Sequence, residues 1–572
     1  MVSGMRKGLC SIVVVVWQLV AAAGRGGEVV PGPGGVVVSA SRPASDVGAS
    51  VLAAGGNAVD AAVATGFALA VTFPAAGNIG GGGFMVVRLT DGTATSFDFR
   101  ETAPAAARPD MFLDAEGRID VGLIAAGYLA VGVPGTVRGL ALAHERLGHL
   151  PWRELVAPAV ELARDGFPIS ATLASALNRE LAGPMRLFPG SRAAYGKPDG
   201  TPWEAGDRLV LPDLAATLMG IATDGPEAFY AGRIATLLTE AMAARGGLLT
   251  RADLAGYRAK ERPPVTGRRF GHEIISMGPP SSGGVILLEM LGMAEAVGID
   301  RLPRTSPEAI HLAAEIRRRG YLDRARFLGD PDFVAVPVGH LASAEHARAV
   351  AATIDPHRAT RSLDLGRDLV AATVSESPET THYSVVDAAG MAVATTTTLE
   401  GSFGSHVVIP GTGFLLNNEM GDFNRKPGTT TPRGEIGTPA NEISPGKRML
   451  SSMTPTIVAK DGRPVLVTGS PGGRTIINTV FDVVAGVVAH GLDGRAAVDA
   501  PRFHHQWLPD RLVVEAGGIA TATREALVAL GHELAETETQ GSAQSIWLDP
   551  ATGMPAGIPD SRGPDAAAVS PR

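Results

Sequence analysis

The chain has 572 residues, which is too long for one ordinary hydrophobic core, so we expect two domains or two closely packed halves. Its apolar content of 45% is ample for burial. The formal net charge of −8 argues against nucleic acid or an anionic membrane as the partner.

Residues 1–25 have the pattern of an export signal. Arg6 and Lys7 form a short basic start, Leu9–Val20 is apolar, and a run of alanines then provides a small-residue cleavage zone. The apolar stretch is too short for a persuasive membrane span. Cys10 is the one cysteine of the chain and would be lost with the signal, so the mature protein would use no disulfide or thiol nucleophile. We therefore expect a periplasmic or secreted protein without a stable membrane span; a single uncleaved anchor is the alternative.

The first elements predicted after this signal are two alanine-rich helices within Gly48–Phe73. The pair Gly55-Gly56 separates them, and Asn57 is a plausible N-cap of the second helix, with Asp60 in its first turn. The glycine run Gly80–Gly83 follows and suggests a phosphate-binding loop. No Lys-Ser or Lys-Thr comes after it, and the next predicted element is a strand instead of a helix. We therefore predict a tight turn where two backbones approach closely.

Arg100 is the first residue with a candidate role in binding. It lies in the stretch Asp98–Pro104, directly after a predicted strand. A guanidinium group at a strand end can hold a carboxylate through two parallel hydrogen bonds. A surface salt bridge is the alternative for any single arginine.

The region between residues 150 and 379 has a mainly helical pattern followed by a linker. Residues 150–260 alternate amphipathic helices with polar loops, and another helix starts near Val285. A later helix opens at Ser306-Pro307 and is predicted to reach about Gly320. Residues 351–379 carry no strong pattern and are predicted to be a loop or linker.

Two β-prone runs, Thr380–Asp387 and Met391–Thr398, are separated by a three-residue loop. Gly390 supplies the left-handed conformation that such a loop needs. The loop pairs Asp387 with Met391, and continuing that register to the open end of the hairpin places Thr398 opposite Thr380. The two hydroxyl groups should therefore be neighbours.

Three later stretches carry further candidate chemistry. Glu419 and Asp422 bring two carboxylates into one turn after a predicted short strand. Residues 424–447 are rich in Gly, Pro and Thr and are long enough to form a flexible lid. Gly472-Gly473 lies between a predicted strand and a helix from about Thr475, where backbone N–H groups can hold an anion. A simple turn is the alternative there.

Neither of two histidine pairs fits a metal site. His144 and His149 resemble part of a zinc-binding helix, but their spacing takes them off a common helical face. His504 and His505 would point to opposite sides of a strand, with no third ligand near them. We expect no metal and no cofactor.

Elimination leaves Thr380 as the candidate nucleophile. The sequence has no Gly-x-Ser-x-Gly elbow, and the mature chain would have no cysteine. If the bond between Glu379 and Thr380 is cut, the Thr380 hydroxyl gains its own α-amino group as a base. Such an amine has a pKa of about 7.7–8.0 and can accept a proton near neutral pH.

Several stretches resemble, in order, those of the γ-glutamyltransferases, and they extend from about residue 35 to residue 565. The most distinctive are Pro74–Met85, Asp98–Pro104, Pro279–Gly284, Thr380–Asp387, Leu415–Met420, Leu450–Pro455 and Gly469–Gly473. The resemblance implies an α/β protein, an αββα sandwich of the N-terminal nucleophile hydrolase type, made as a precursor that cuts itself between Glu379 and Thr380. With the signal at 1–25, this gives a large subunit at 26–379 and a small subunit at 380–572, which would form a heterodimer.

The resemblance also assigns the catalytic groups. Thr380 would be the nucleophile in self-cleavage and in turnover, and Thr398 would hydrogen-bond to it and orient it. Gly472 and Gly473 would supply the oxyanion hole.

The same resemblance assigns the groups that bind substrate. Arg100, Ser451 and Ser452 would hold the α-carboxylate of the glutamyl group, and Glu419 and Asp422 would hold its α-amino group. A γ-glutamyl donor carries a zwitterionic head, which needs one cationic anchor and an acidic pair.

Two departures from the family pattern affect recognition. Glu400 stands where many members have asparagine, which should alter recognition of the amino group without abolishing it. The segment 424–447 contains no aromatic residue, whereas an aromatic residue closes over the substrate in some members. Arg433 or its neighbours would then gate the site less tightly and shift the balance between hydrolysis and transfer.

The implied activity is that of a γ-glutamyltransferase and glutathione hydrolase. The enzyme would pass the γ-glutamyl group of glutathione or a related amide to water, or to an amino acid or dipeptide, through an ester on Thr380. A glutaryl acylase acting on cephalosporins is the nearest alternative, but its substrate has no α-amino group and would not need both Glu419 and Asp422. An unprocessed, non-catalytic homologue is the other alternative, which the retained Thr380 and Arg100 disfavour. The expected partners are small-molecule substrates.

Overall fold

Two seven-stranded antiparallel sheets form the centre of the computed structural model. The structure describes residues 27–369 and 380–571, so the predicted signal peptide at 1–25 and Glu379 lie outside the described residues.

The strands, in chain order, are β1 Val30–Pro31, β2 Gly35–Ser39, β3 Gly82–Arg88, β4 Ala94–Asp98, β5 Phe167–Pro168, β6 Arg208–Leu209, β7 Lys260–Arg262, β8 Val265–Arg269, β9 His272–Ser276, β10 Thr381–Asp387, β11 Ala392–Thr398, β12 Thr456–Lys460, β13 Arg463–Thr468, β14 Phe503–His504, β15 Leu512–Glu515, β16 Leu534–Thr537, β17 Ser545–Leu548, β18 Pro555–Ile558 and β19 Ala567–Val569.

The α-helices are α1 Arg42–Ala53, α2 Ala58–Thr72, α3 Val121–Ala125, α4 Thr136–Leu147, α5 Trp152–Asp165, α6 Ala171–Ala182, α7 Pro189–Tyr195, α8 Pro212–Asp224, α9 Glu227–Tyr230, α10 Arg233–Arg245, α11 Arg251–Gly256, α12 Gly283–Val297, α13 Pro307–Phe327, α14 Val338–Leu341, α15 Ala344–Ala351, α16 Ser362–Leu365, α17 Thr475–Val488, α18 Gly494–Asp499 and α19 Thr521–Ala529. Short 3-10 helices cover Pro184–Leu187, Ile299–Arg301, Glu419–Asp422 and Pro439–Asn441.

The two large sheets lie between two layers of helices, which confirms the predicted αββα sandwich. One sheet has the order β1-β18-β17-β13-β12-β9-β8, and the other has the order β19-β2-β10-β11-β3-β4-β7. Alternate side chains of β2 show the layering: Val37 packs with α1 and α2, whereas Val36 and Val38 face the first sheet. This alternation is the period of two that a β-strand imposes, and here it makes both faces apolar. Helices α12 and α17 cover the first sheet.

The segments on either side of the predicted cleavage point share both sheets. In the second sheet, β10 pairs with β2 and β11 pairs with β3, so the hairpin from the C-terminal segment sits between strands of the N-terminal segment. In the first sheet, β12 pairs with β9 across the same division. The two segments are therefore held together by ladders of backbone hydrogen bonds as well as by apolar packing.

The predicted hairpin and the predicted N-cap are both confirmed. Strands β10 and β11 pair from Val386↔Ala392 to Thr381↔Thr397, and the Asp387 N–H donates to the Met391 carbonyl at 3.1 Å. Gly390 has a φ of 87°, as the three-residue loop requires. At the start of α2, the Asn57 side chain accepts from the Asp60 N–H, and the Asp60 carboxylate accepts from the Asn57 N–H.

The glycine run is a site of close backbone approach, as predicted. A Cβ placed on Gly81 would lie 2.1 Å from the Thr398 carbonyl oxygen, and one on Gly83 would lie 2.4 Å from the Thr396 carbonyl oxygen. The run passes directly into β3, in which Gly82 is paired with Thr398. Only glycine allows this strand to lie so close to the end of β11.

Two predicted boundaries are wrong. Helix α13 ends at Phe327 and not near Gly320. Gly320 does not end the helix; it allows close packing, because a Cβ there would lie 3.1 Å from both Ile286 and Met290 on α12. The short strand expected before Glu419 is reduced to a single bridge between Val408 and Leu415, which leads into a 3-10 turn.

Candidate active site

A cleft lies at the open end of the β10–β11 hairpin. Its volume is about 660 Å³ when the solvent-filled space at its mouth is included. Among the described residues, every predicted site residue except Gly472 lines it: Arg100, Thr380, Thr398, Glu400, Glu419, Asp422, Ser451, Ser452 and Gly473. Gly472 lines an adjoining groove. The structure therefore brings together residues that are separated by more than half the chain.

Thr380 and Thr398 meet at the sheet end of the cleft. The last recorded pair is Thr381↔Thr397, and continuing this register by one residue sets Thr380 opposite Thr398. Both side chains are almost fully buried, with 5% and 2% exposed. Thr398 is fixed from two sides, because its hydroxyl accepts from the Glu400 N–H at 2.8 Å and its carbonyl accepts from the Asn78 side chain at 2.9 Å.

Arg100 is a fully buried cation in the wall of the same cleft. It lies just beyond the end of β4, and its guanidinium donates to the carboxylates of both Glu419 and Asp422. Its Nε donates to the Met449 carbonyl at 3.3 Å. Burial disfavours the charged guanidinium, but the carboxylates of Glu419 and Asp422 raise the pKa of Arg100 above its ordinary value. Arg100 is therefore held rigidly and stays charged.

Arg100 is surrounded by more carboxylates than it can neutralise. We call Arg100, Glu101, Glu419 and Asp422 the Arg100 cluster. Burial raises the pKa of Glu101 to about 7, although Arg100, 3.7 Å away, opposes the shift. Burial also raises the pKa of Glu419 well above its ordinary value, and the negative charges of Glu101 and Asp422 add to that shift. One cation among three acids leaves the cluster short of positive charge, so it favours a bound ammonium group.

Glu400 contributes a further carboxylate to the cleft. Its backbone has a φ of 78°, in the left-handed region that non-glycine residues rarely adopt. The Asn418 side chain donates to its carboxylate at 2.5 Å. This departure from asparagine therefore places one more negative charge on the wall of the cleft.

Ser451 and Ser452 line the wall beside Arg100. The Ser451 hydroxyl accepts from the Met453 N–H at 3.1 Å, which leaves its own proton able to be donated to a ligand. The Ser452 hydroxyl accepts from Arg324 at 3.0 Å. Asn441 donates to the Asp422 carbonyl and accepts from the Leu450 N–H, and so it joins the two walls.

Arg324 is a cleft residue that the sequence prediction missed. It lies on α13, beyond the point where that helix was expected to end, and its Nε also donates to the Ser282 hydroxyl at 2.9 Å. The arginine-rich pattern of α13 past Gly320 was the available signal. A helix extended to Phe327 would have placed Arg324 on the same face as Gly320.

The glycine pair lies between the cleft, which Gly473 lines, and the adjoining groove, which Gly472 lines. Gly472 and Gly473 have φ values of 133° and 53°, and they connect the end of β13 to the start of α17. Their carbonyls accept from the first turn of α17, since the Thr475 N–H donates to Gly472 and the Ile476 N–H donates to Gly473. Neither glycine N–H donates to another residue within 27–369 or 380–571. Both amides are thus able to stabilise a negative oxygen.

The predicted lid lies along the rim of the cleft. Four residues of the segment 424–447 line the cleft: Asn424, Ile436, Thr438 and Asn441. The segment is held in place by hydrogen bonds, including those from the Thr438 hydroxyl to the Ala325 carbonyl and from Arg474 Nη1 to the Gly434 carbonyl. Arg433 lines the adjoining groove and not the cleft.

Two clusters away from the cleft have ligand atoms close enough to hold a metal ion. In one, His311 Nε2 contacts the Asp355 carbonyl and His311 Nδ1 contacts His532 Nε2 at 2.8 Å, so both ring nitrogens are already engaged. The other, which we call the His346 cluster, consists of Glu289, Asp323 and His346. The carboxylates of Glu289 and Asp323 raise the pKa of His346 to about 9, so the imidazolium itself is the positive charge that faces the two acids. None of these residues lines the cleft.

The αββα fold, with a threonine directly before a central strand and a glycine loop at the same cleft, defines the class as the N-terminal nucleophile hydrolases. A model of the γ-glutamyltranspeptidase family matches residues 44–570. The glutathione hydrolase proenzyme of Escherichia coli (strain K12) is 46% identical over 516 residues, which cover 90% of this chain and 88% of that protein. The chain therefore belongs to the γ-glutamyltranspeptidase family.

Solved structures agree with this assignment. Cephalosporin acylase from Bacillus halodurans matches with a TM-score of 0.82 and 25% identity over 98% of this chain and 100% of that chain. The γ-glutamyltranspeptidase of Helicobacter pylori matches with a TM-score of 0.55 and 44% identity over 56% of this chain and 91% of that chain. Within the described part of this protein, no helix is both long enough and apolar enough to cross a membrane.

Proposed function

We propose that this protein is a γ-glutamyltransferase and glutathione hydrolase, which transfers the γ-glutamyl group of glutathione or related amides to water, an amino acid or a dipeptide. One observation carries the proposal: a single cleft holds Thr380, the buried cation Arg100 and the acids Glu419 and Asp422. This is the set of charges that a zwitterionic glutamyl head needs next to a nucleophile.

The precursor would activate itself at the Glu379–Thr380 bond. The Thr380 hydroxyl would attack the Glu379 carbonyl carbon, and the C–N bond would break as the acyl group moves from nitrogen to oxygen. Water would then hydrolyse that ester, which leaves a carboxylate on Glu379 and a free α-amino group on Thr380. The hydrogen bonds that fix Thr398 beside Thr380 support this role for the pair.

In turnover, the Thr380 hydroxyl would attack the γ-carbonyl carbon of the donor while the α-amino group takes its proton. The N–H groups of Gly472 and Gly473 would hold the negative oxygen of the tetrahedral intermediate. The amine would then give its proton to the leaving nitrogen, and the γ-glutamyl ester on Thr380 would remain. Water or the amino group of an acceptor would release it by the reverse sequence.

The glutamyl head would bind by rearranging existing charge pairs. The substrate α-carboxylate would take up hydrogen bonds from Arg100, Ser451 and Ser452. The substrate ammonium would take the place of Arg100 in part of the pairing with Glu419 and Asp422, which now share that one cation. Exchanging one buried pair for another limits the desolvation cost of binding.

The two products of self-cleavage would stay together. The large subunit at 26–379 and the small subunit at 380–572 would each supply neighbouring strands of both sheets. The basic and apolar pattern of residues 1–25 supports export to the periplasm or outside the cell. The expected active form is therefore an exported heterodimer.

Glutaryl acylase activity is the competing proposal. The similarity to cephalosporin acylase from Bacillus halodurans is the reason to test it. The test compares γ-glutamyl-4-nitroanilide with glutaryl-4-nitroanilide, which differ only in the α-amino group. We expect the γ-glutamyl compound to be the far better substrate. A preference for the glutaryl compound would make the protein an acylase, and a single uncut chain inactive on both would make it a non-catalytic homologue.

A further inference from the structure

A second groove adjoins the cleft on the far side of the loop that carries Gly472 and Gly473, which we call the oxyanion loop. We call it the arginine groove, and it is bounded by Arg433, Pro471, Arg474, Pro509, Arg511 and Ser542. Its volume is about 1430 Å³, measured out to open solvent. Arg474 lines both the groove and the cleft, so the two spaces lie side by side.

The arginine groove has an excess of positive charge. Three arginines line it, and none of its lining residues is an aspartate or a glutamate. Arg433 and Arg511 are exposed, and their guanidinium groups form no hydrogen bond or ion pair with any residue in the described ranges. The chain as a whole carries a net charge of −8, so this local excess runs against the average of the molecule.

Arg433 and Arg511 are carried by two backbone segments that pack against each other. Arg474 Nη1 donates to the Gly434 carbonyl at 2.8 Å, which ties the segment that carries Arg433 to the oxyanion loop. A Cβ on Gly434 would lie 2.9 Å from the Leu508 carbonyl oxygen, so this segment also packs against the chain that leads to Arg511. The two unpaired guanidinium groups are thus presented from packed segments at one groove.

The position of the groove relates it to the reaction. Gly473 borders the cleft and Gly472 borders the groove, so the proposed oxyanion site lies at the junction. A donor whose carbonyl oxygen is held there and whose glutamyl head occupies the cleft has its leaving group directed towards the groove. An acceptor must approach the ester on Thr380 from the same side, because it replaces the leaving group.

We propose that the arginine groove binds a carboxylate on the leaving group of the donor and on peptide acceptors. The proposal rests on the proposed function and narrows its substrates to γ-glutamyl peptides with a free carboxylate beyond the scissile bond. Paired arginines suit carboxylates because each guanidinium offers several donors in one plane. Because the groove is open to solvent, its arginines should select between substrates and contribute little to overall affinity. Added salt should weaken this selectivity by screening the charges.

The test uses Arg433→Gln, Arg511→Gln and the double variant, with two donors. Glutathione has a leaving group with a free carboxylate, and γ-glutamyl-4-nitroanilide has an uncharged one. Each exposed ion pair changes an equilibrium by roughly 1.4- to 5-fold. We expect the ratio of kcat/KM for glutathione to kcat/KM for the anilide to fall by that factor in each single variant, and by about 2- to 25-fold in the double variant.

Arg153→Gln is the matched control, because Arg153 is an exposed arginine on α5 that does not line the groove. It should leave the ratio at the wild-type value. An unchanged ratio in the double variant would overturn the proposal while anilide hydrolysis still supported the proposed function. Absence of anilide hydrolysis in the wild type would instead refute the proposed function.

A measurement on the unmodified protein gives a second test. Glycylglycine and glycylglycine amide present the same acceptor amine, with and without a carboxylate. We expect the wild type to use glycylglycine several-fold better at low ionic strength, and added salt should shrink that advantage. Equal use of both acceptors would contradict the proposal.

Discussion

The Arg100 cluster and the His346 cluster have similar electrostatics but different surroundings. Each places one cation among a surplus of buried carboxylates, and each shifts pKa values strongly. The Arg100 cluster opens into a cleft that is also lined by Thr380 and Gly473, whereas the His346 cluster lies between α12, α13 and α15 and lines no part of that cleft. A perturbed pKa therefore marks a functional site only where a ligand and a reacting group can meet it.

Substitution of Thr380 should cause the largest loss of activity, because Thr380 is the proposed nucleophile in the cleft that the Arg100 cluster lines. Thr380→Ala removes the nucleophile of both reactions, so we expect one uncut chain with no measurable hydrolysis of γ-glutamyl-4-nitroanilide. A denaturing gel and the anilide assay check this, and Thr380→Ser is the matched control that keeps a hydroxyl. A Thr380→Ala protein that still matured and turned over would refute the assignment.

Arg100 should matter for binding but not for self-cleavage. Arg100→Gln removes hydrogen bonds to the substrate carboxylate, and charge-assisted bonds of this kind are worth about 1.5–3 kcal/mol each. We expect kcat/KM for the anilide to fall about 100-fold or more, mainly through KM, with both fragments still present on a gel. Arg100→Lys keeps the charge and should lose less. Loss of cleavage in Arg100→Gln would show that the residue supports the fold instead.

Asp422 should decide whether the cleft recognises an ammonium group. Asp422→Asn weakens that interaction, so the preference for γ-glutamyl over glutaryl anilide should fall by about 10-fold or more, roughly the loss of one charged hydrogen bond. The ratio of the two kcat/KM values measures it. If the ratio held while both activities fell together, Asp422 would act by positioning Arg100 and not by binding the amine.

The raised pKa values of the Arg100 cluster predict a pH dependence of binding. A carboxyl group with a raised pKa stays protonated and neutral up to that pH, and Glu101 has a pKa of about 7. The affinity for an ammonium group should therefore increase as pH rises through about 7. The inhibition constant of L-glutamate between pH 5.5 and 8.5 tests this, and Glu101→Gln should flatten the profile. A wild-type constant that is independent of pH would contradict the expectation.

The His346 cluster should affect stability and leave catalysis unchanged. The pKa of His346 is about 9 in the folded protein, against about 6.5 for an unfolded histidine. Its stabilising charge is therefore fully present below pH 6.5 and is lost as pH rises towards 9. Between pH 6.5 and 9, the midpoint of urea unfolding should change less in His346→Gln than in the wild type. The activity of this variant at pH 7 should stay at the wild-type level. A loss of activity in this variant would contradict the claim that only the Arg100 cluster takes part in catalysis.

Local rules were enough to predict the elements around the nucleophile. A three-residue loop ending in Gly390 fixes one register, and that register alone places Thr380 beside Thr398. The N-cap at Asn57 and the start of α17 at Thr475 also follow from a few neighbouring residues. The roles of the binding residues came from the family resemblance, and the structure brings those residues into one cleft.

Long-range packing decided what the sequence did not predict. Gly320 looked like a helix end because its contact with α12 is invisible in sequence, and Arg324 was missed as a result. The direct pairing of Arg100 with Glu419 joins positions that are 319 residues apart. The unpaired arginines of the arginine groove come from the rim segment 424–447 and from the loop before β15, which no local pattern connects.

The most direct test is to find the γ-glutamyl ester. The wild-type protein is mixed with a γ-glutamyl donor, quenched rapidly in acid and analysed by peptide mass spectrometry. The account predicts a peptide that begins Thr380-Thr381-His382-Tyr383, with one γ-glutamyl group on its first residue. An intact Glu379–Thr380 bond in active protein, or the γ-glutamyl group on any other residue, would contradict it.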